Sequence, residues 1–171
     1  MSEKIKIKLL KALLRSLVKP MFGPPLSYPL QRVWLNAMSA VSIKPRKTQL
    51  KSMNVLGVPV QQVSNAATPG SPTDNVILYL HGGAYCIGSA KTHGGLTANL
   101  AKKCRAKVFV PEYRLAPEHA MPAAIDDCLN CYEWLLSEGH KPSQIIIAGD
   151  SAGAGLVMAT ALRLKEKNLA Q

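Results

Sequence analysis

Three apolar runs, each followed by a stretch of helical character, constrain this chain more than any other feature. They are Val-Ile-Leu-Tyr-Leu at 76–80, Ala-Lys-Val-Phe-Val at 106–110 and Gln-Ile-Ile-Ile-Ala at 144–148. Runs this short and this apolar suit strands buried on both faces, which is the habit of parallel sheets. Between them the periodicity changes. A helix is expected over 93–103 behind Thr92, a second from Pro122 to about Ser137, and a third over 152–167. Strand-helix-strand-helix-strand-helix predicts an α/β fold, a mostly parallel sheet with helices on both faces. Upstream, residues 52–64 look like two short strands around Gly57, 65–75 like a surface loop, and 31–42 like a short helix.

The chemistry-bearing residues sit at the ends of these runs. Straight after the third comes Gly149-Asp150-Ser151-Ala152-Gly153, and straight after the first comes His81-Gly82-Gly83-Ala84-Tyr85. A G-x-S-x-G string alone is weak. Between a strand and a helix it fits a nucleophile elbow, where Gly149 and Gly153 give a sharp turn room and the Ser151 hydroxyl is lifted clear of the sheet. The turn also puts Ser151 at a helix N-terminus, where free N–H groups favour developing negative charge. The glycines after His81 suit an oxyanion loop. The N–H groups of Gly82, Gly83 and Ala152 are the expected donors, and losing one such donor typically costs about 3 kcal/mol in the transition state. His81, placed just before that loop, is read as its anchor rather than as a catalytic base. His93 and His140 are read as flanking surface helices, and Asp126 and Asp127 as structural acids early in a helix.

Charge separates the chain into two parts. Residues 1–51 carry 11 Lys/Arg against one acid, Glu3, whereas 52–171 carry 10 against 9 acids. We therefore divide the chain into a basic N-terminal cap or lid segment at 1–51 and the N-terminal half of a catalytic domain at 52–171. Within the first, Ile5, Leu9, Leu13 and Leu17 follow the helical period across 4–19, with Lys and Arg on much of the other face. Two readings compete for that helix. It packs on the enzyme as part of a lid, which is the reading preferred here, or it makes peripheral contact with an anionic membrane surface. Pro20, Pro24, Pro25 and Pro29 are expected to break the helix. No basic stripe interleaved with aromatics is present, so nucleic acid is not an expected partner. No secretory signal or membrane span is visible, which reads as cytoplasmic, with Cys86, Cys104, Cys128 and Cys131 reduced. Cys128-x-x-Cys131 lies in a helical stretch with no second Cys/His pair, so it reads as core packing rather than as a metal site.

The segment Pro111-Glu112-Tyr113-Arg114-Leu115-Ala116-Pro117-Glu118-His119 completes a pattern. With His81-Gly82-Gly83 and Gly149-Asp150-Ser151-Ala152-Gly153 it resembles the hormone-sensitive-lipase-like carboxylesterases, an α/β-hydrolase branch, over roughly 76–165. Three motifs in order and at about the family's spacing carry the resemblance. It implies Ser151 as nucleophile, Gly82, Gly83 and Ala152 as the oxyanion hole, no metal or organic cofactor, and a short- or medium-chain ester or a lactone as substrate. Tyr113, Arg114, Glu118 and His119 would brace the loop. Two departures are mild: Ala84 stands for the third glycine of the loop, and Glu112 for the usual Asp. The third is large. The family's triad Asp and His come after its serine, and the 20 residues after Ser151 hold neither. The expectation is thus the front half of a serine ester hydrolase, inactive alone. Its rivals are a non-catalytic relative that binds small ligands in the old pocket, and a gene fragment without function.

Overall fold

A computed structural model describes residues 3–19, 26–66 and 75–169. The elements in order are helix α1 (Glu3–Leu13, prolonged by a π-helical turn Leu14–Val18), α2 (Tyr28–Met38), strands β1 (Thr48–Val55), β2 (Val58–Asn65) and β3 (Val76–Leu80), α3 (Gly94–Cys104), β4 (Lys107–Pro111), α4 (Ala123–Ser137), β5 (Ile145–Gly149) and α5 (Ala152–Glu166). The loop expected at 65–75 lies largely outside the described residues, as do Pro20, Pro24 and Pro25. Pro29 does not end a helix. It occupies the first turn of α2, where its missing N–H has no intrahelical partner to lose.

The sheet runs β1-β2-β4-β3-β5. The expected parallel core is present: β3 pairs in parallel with β4 on one side and β5 on the other. The β1–β2 hairpin turns at Leu56-Gly57 and joins β4 antiparallel, so the sheet is mixed. Alternation along β3 divides two cores. Val76, Leu78 and Leu80 meet Cys128, Leu135, Leu156 and Leu164 of α4 and α5. Ile77 and Tyr79 face Ala98 and Ala101 of α3. All five β3 residues are buried, as an apolar run between two strands and two helix layers requires. Cys128 and Cys131 lie in the first core. Burial pushes the Cys131 thiol up to about 12 and Cys128 well above its ordinary value, so both are inert packing atoms.

The register between β3 and β5 positions the site. Leu80 lies opposite Gly149, so the residues that come after each strand leave the sheet side by side.

The first helix is exposed along its described length. No residue of α1 is buried, and Leu9 and Leu10 are 56% and 55% exposed. The apolar stripe, expected to pack as a lid, meets no covering surface among the described residues. No described helix is long and apolar enough to cross a membrane.

β5 is an edge strand. Ile146, in register with Ile77, is 50% exposed, because α3 does not reach it. A β-branched apolar residue on an open edge invites pairing with another chain. The 171-residue polypeptide should therefore elute as an oligomer in size-exclusion chromatography with light scattering. Ile146→Lys should shift it toward monomer. A parent chain that is already monodisperse and monomeric would show that the edge is protected.

Candidate active site

The elbow is built as the glycine spacing requires. β5 ends at Gly149, and Ser151 takes φ 50°, ψ −120° directly before α5. A left-handed φ on a non-glycine residue is strained, and such strain concentrates at functional turns. Gly153 passes so close beneath the end of β3 that a Cβ there would meet the Leu80 carbonyl oxygen and lie 2.7 Å from that of His81. Both are backbone atoms and cannot swing aside. The Ser151 side is open to solvent, and no described residue hydrogen-bonds its hydroxyl.

The facing loop is equally contorted. Gly83 has φ 130°, and Ala84 and Tyr85 come next at 53° and 62°. The turn is closed by the N–H groups of Cys86 and Ile87, both donated to the Gly83 carbonyl at 3.0 and 2.9 Å. The N–H groups of Gly83, Ala84 and Ala152 find no acceptor among the described residues. Gly82 is different. It donates its N–H to Asp150 Oδ1 at 2.9 Å, so the expectation that Gly82 serves the oxyanion is corrected: its donor is spent on holding the loop against the elbow. Gly82 also needs to be small for this contact, since a Cβ would collide with the Asp150 carboxylate.

Asp150 is the hub of the arrangement. The same Oδ1 accepts from the Tyr79 hydroxyl at 2.8 Å and lies 3.4 Å from His93 Nε2. Burial alone would raise the Asp150 carboxyl, but Tyr79, the charge of His93 and the Gly82 N–H together hold it below the ordinary range. Burial, reinforced by Asp150, pushes the Tyr79 phenol up. His93, expected on the surface, lies instead at the site, stacked on His81 at 5.5 Å.

His81 is fully buried, and Tyr113 stacks on its other face at 4.3 Å. The Tyr113 hydroxyl donates to the His81 carbonyl at 2.5 Å. His81 Nδ1 lies 2.9 Å from the Gly82 carbonyl, which requires the proton on Nδ1 and leaves Nε2 buried without a partner. Burial, aided by nearby His93, outweighs the Gly82 carbonyl and Asp150 and pushes the imidazole down to about 4 from 6.5. His81 is thus a neutral brace inside the loop.

That depression has a consequence for stability. The unfolded chain binds a proton at His81 near pH 6.5 and the folded chain only near 4. The neutral ring's contribution is complete above 6.5 and is lost as pH falls toward 4, about 3 kcal/mol in all. Urea unfolding of the Ile146→Lys chain should lose stability across that window. His81→Gln should flatten the loss, and the difference isolates His81 from Asp150, which titrates lower, and from Glu112, whose carboxyl burial pushes up. Equal pH slopes in the two chains would refute the assignment.

The supporting motif is divided among separate tasks. Arg114 clamps Asp127 with several hydrogen bonds, the nearest from Nη2 at 2.8 Å. Asp127 is buried, in keeping with its structural reading. Glu118 binds Arg32 of α2 at 2.8 and 2.9 Å. Arg32 also donates to the Cys86 and Ala116 carbonyls, and Asn36 accepts from Ser89 at 2.7 Å. His119 is exposed, and among the described residues its side chain makes no hydrogen bond. Sequence reasoning missed Arg32, Asn36 and Tyr79. Only Tyr79 carried a signal, as the one polar-tipped residue in an otherwise apolar buried run. A cleft of about 320 Å³ under the hairpin turn, walled by Val58, Arg114 and Asn130 among others, includes none of the loop or elbow residues. Among the described residues no three His, Cys, Asp or Glu side chains are placed to hold a metal ion.

Comparisons with known proteins identify the fold and the family. Residues 77–171 match the model of the α/β-hydrolase fold family. The chain belongs to that family. It is 44% identical to the esterase LipU of Mycobacterium tuberculosis over 103 residues, 60% of this chain and 35% of that one. It is 40% identical to an esterase of Acinetobacter venetianus over 119 residues, 70% of this chain and 38% of that one. Among solved structures, an esterase of the bacterial hormone-sensitive lipase family superimposes with a TM-score of 0.82 at 33% identity, covering 97% of this chain and 54% of that one. The esterase EstE5, in a crystal soaked with p-nitrophenyl butyrate, gives 0.84 at 34%, covering 100% and 55%. The α/β-hydrolase thus spans little more than a third of those two curated relatives and about half of those two solved chains. The resemblance to the hormone-sensitive-lipase-like esterases, read from three motifs, agrees with all of them.

Proposed function

We propose that this α/β-hydrolase chain supplies the nucleophile and the oxyanion-binding half of a serine carboxylic-ester hydrolase. The observation that supports the reading is the β3–β5 register, from whose neighbouring ends, Leu80 and Gly149, the glycine loop and the strained turn at Ser151 both leave the sheet. In this reading Ser151 Oγ attacks the acyl carbon, and the carbonyl oxygen becomes an oxyanion held by the N–H groups of Gly83, Ala84 and Ala152. Collapse of the tetrahedral species expels the alcohol and leaves an acyl group on Ser151, which water then removes. Both steps need a base to take a proton from the attacking oxygen and return it to the leaving one. No described histidine bonds Ser151, and His81 is buried and occupied, so the described residues supply the nucleophile and not its base. Names such as esterase and acetyl-hydrolase among the relatives support an ester as substrate, and the motif resemblance narrows the proposal to a short- or medium-chain ester or a lactone. Gly149, Asp150 and Gly153 shape the elbow, Gly82 and His81 brace the loop, and α2 closes over its rim through Arg32. That contact supports a cap segment within 1–51 and a catalytic half within 52–171.

A fluorophosphonate probe tests the reading. In protein isolated from its source, Ser151 should be labelled covalently, and Ser151→Ala should abolish the label. An unlabelled, folded protein that still binds an ester analogue would favour the non-catalytic relative.

A further inference from the structure

We propose that His93 is a positioning residue, which through Asp150 fixes the Gly82-Gly83-Ala84 loop against the elbow. The proposal rests on the hydrolase reading for its catalytic consequence and not for its geometry. Three groups converge on Asp150 Oδ1: the Gly82 N–H, the Tyr79 hydroxyl, and His93 Nε2 at 3.4 Å. Asp150 is also the residue before Ser151, so whatever holds its carboxylate holds one side of the nucleophile's turn. The helix that carries His93 does not account for its place. His93 is the N-cap of α3, yet its side chain makes no cap hydrogen bond, and an imidazole that can become a cation is unfavourable at a helix N-terminus. The ring points back to the elbow instead.

The other edge of the ring is held in place. The Thr92 hydroxyl donates to the Ser89 carbonyl at 2.8 Å and lies 2.9 Å from His93 Nδ1, and the same carbonyl lies 3.2 Å from that nitrogen. Both neighbours can only accept, so Nδ1 carries a proton. A lone pair on Nε2 would then face the carboxylate, so the pairing with Asp150 is attractive when Nε2 carries a proton too. Ser89 is fixed in turn. It is buried, and its hydroxyl donates to Asn36 of α2 at 2.7 Å and accepts the Thr92 N–H at 3.1 Å. One face of the ring stacks on His81, and Ala98 and Ala101 anchor α3 on Ile77 and Tyr79. His93 therefore reaches Asp150 from a rigid support. Without it, Asp150 keeps Tyr79 and Gly82 but loses, among the described residues, its one partner able to carry positive charge. Burial disfavours a carboxylate left with neutral donors alone. The Gly82 bond weakens with it, and a small displacement of the loop from Ser151 is enough to cost rate.

Hydrogen exchange of the Gly82 amide, followed by NMR on the whole polypeptide in the Ile146→Lys background, tests the geometry. His93→Leu should speed that exchange by at least about tenfold, whereas His93→Gln, whose amide nitrogen can reach the same oxygen, should stay within about threefold of the parent. The amide of Leu78, fully buried in β3, is the control and should exchange alike in all three. Kinetics test the consequence, in any form of the protein that has a complete triad. There His93→Leu should lower kcat by about tenfold or more with little change in KM, and His93→Gln should restore most of it. With Asp150→Ala already in place, His93→Leu should cost at most about twofold more. Unchanged Gly82 exchange in His93→Leu, equal speeding at Gly82 and Leu78, or a full kcat in folded His93→Leu would each overturn the proposal. So would equal losses in the Leu and Gln variants, or an undiminished loss in the Asp150→Ala background. If no form turns over an ester, the hydrolase reading falls, and the Gly82 exchange alone decides whether His93 positions the loop.

Discussion

The 171-residue polypeptide should release p-nitrophenol from p-nitrophenyl butyrate at no more than about 10³–10⁴ times the rate in water, far below a working esterase. Two physical facts set that ceiling. On the proposed reading Gly83, Ala84 and Ala152 are the oxyanion donors, and their N–H groups find no acceptor among the described residues. Among the described residues no histidine bonds Ser151: His81 is buried with its Nδ1 proton committed to the Gly82 carbonyl, and His93 faces Asp150. Stopped-time assays of the purified chain, with Ser151→Ala as background, measure the residual directly. A turnover of the order of ten per second, lost on Ser151→Ala, would mean that a described histidine reaches Ser151 in solution and that the base lies within these residues after all.

A second large effect is expected at Gly83 in any form of the protein that has a complete triad. Gly83→Ala should lower kcat by about 10²–10³ with little change in KM, the signature of a donor used in the transition state. The φ of 130° is one that side chains rarely adopt, and the added Cβ would collide with the Ile87 carbonyl, the residue whose N–H closes the turn. The loop must therefore shift, and its free N–H groups shift with it. Gly57→Ala is the control. It has φ 90° with nothing within 4 Å of the new Cβ, so it shares the backbone strain but not the position. Equal losses of kcat in the two variants would reduce the Gly83 effect to general strain. A wild-type kcat in folded Gly83→Ala would remove that loop from oxyanion binding.

The architecture was legible because its determinants are local. An apolar run, a glycine turn and an amphipathic stretch are each written in fewer than about twenty residues, and three in succession leave few arrangements. The elbow was legible for the same reason. What escaped was set by partners far along the chain. Gly82 looks like an oxyanion donor until Asp150, 68 residues away, takes its N–H. His93 looks like a surface residue until the β3–β5 pairing brings Asp150 within 3.4 Å. Arg32 has no local signature, and its acceptors lie 54 to 86 residues downstream. The first helix is the opposite case. Its amphipathic pattern was read correctly as a helix, but a pattern states only that a face wants cover, and not where the cover is.

The ladder between β3 and β5 has five residue pairs, ending at Leu80 and Gly149. Everything the site needs to align is suspended from that last pair. Slipping β5 by a single residue would carry Ser151 about 3.3 Å along the strand and turn every β5 side chain to the wrong face of the sheet. The Asp150–Gly82 hydrogen bond then acts as a keyway: it can form only when the two strands are in the one alignment that also sets the serine against the loop. Chemistry and register are in this way checked by the same bond, so a misaligned chain would be unable to present a half-formed reactive centre.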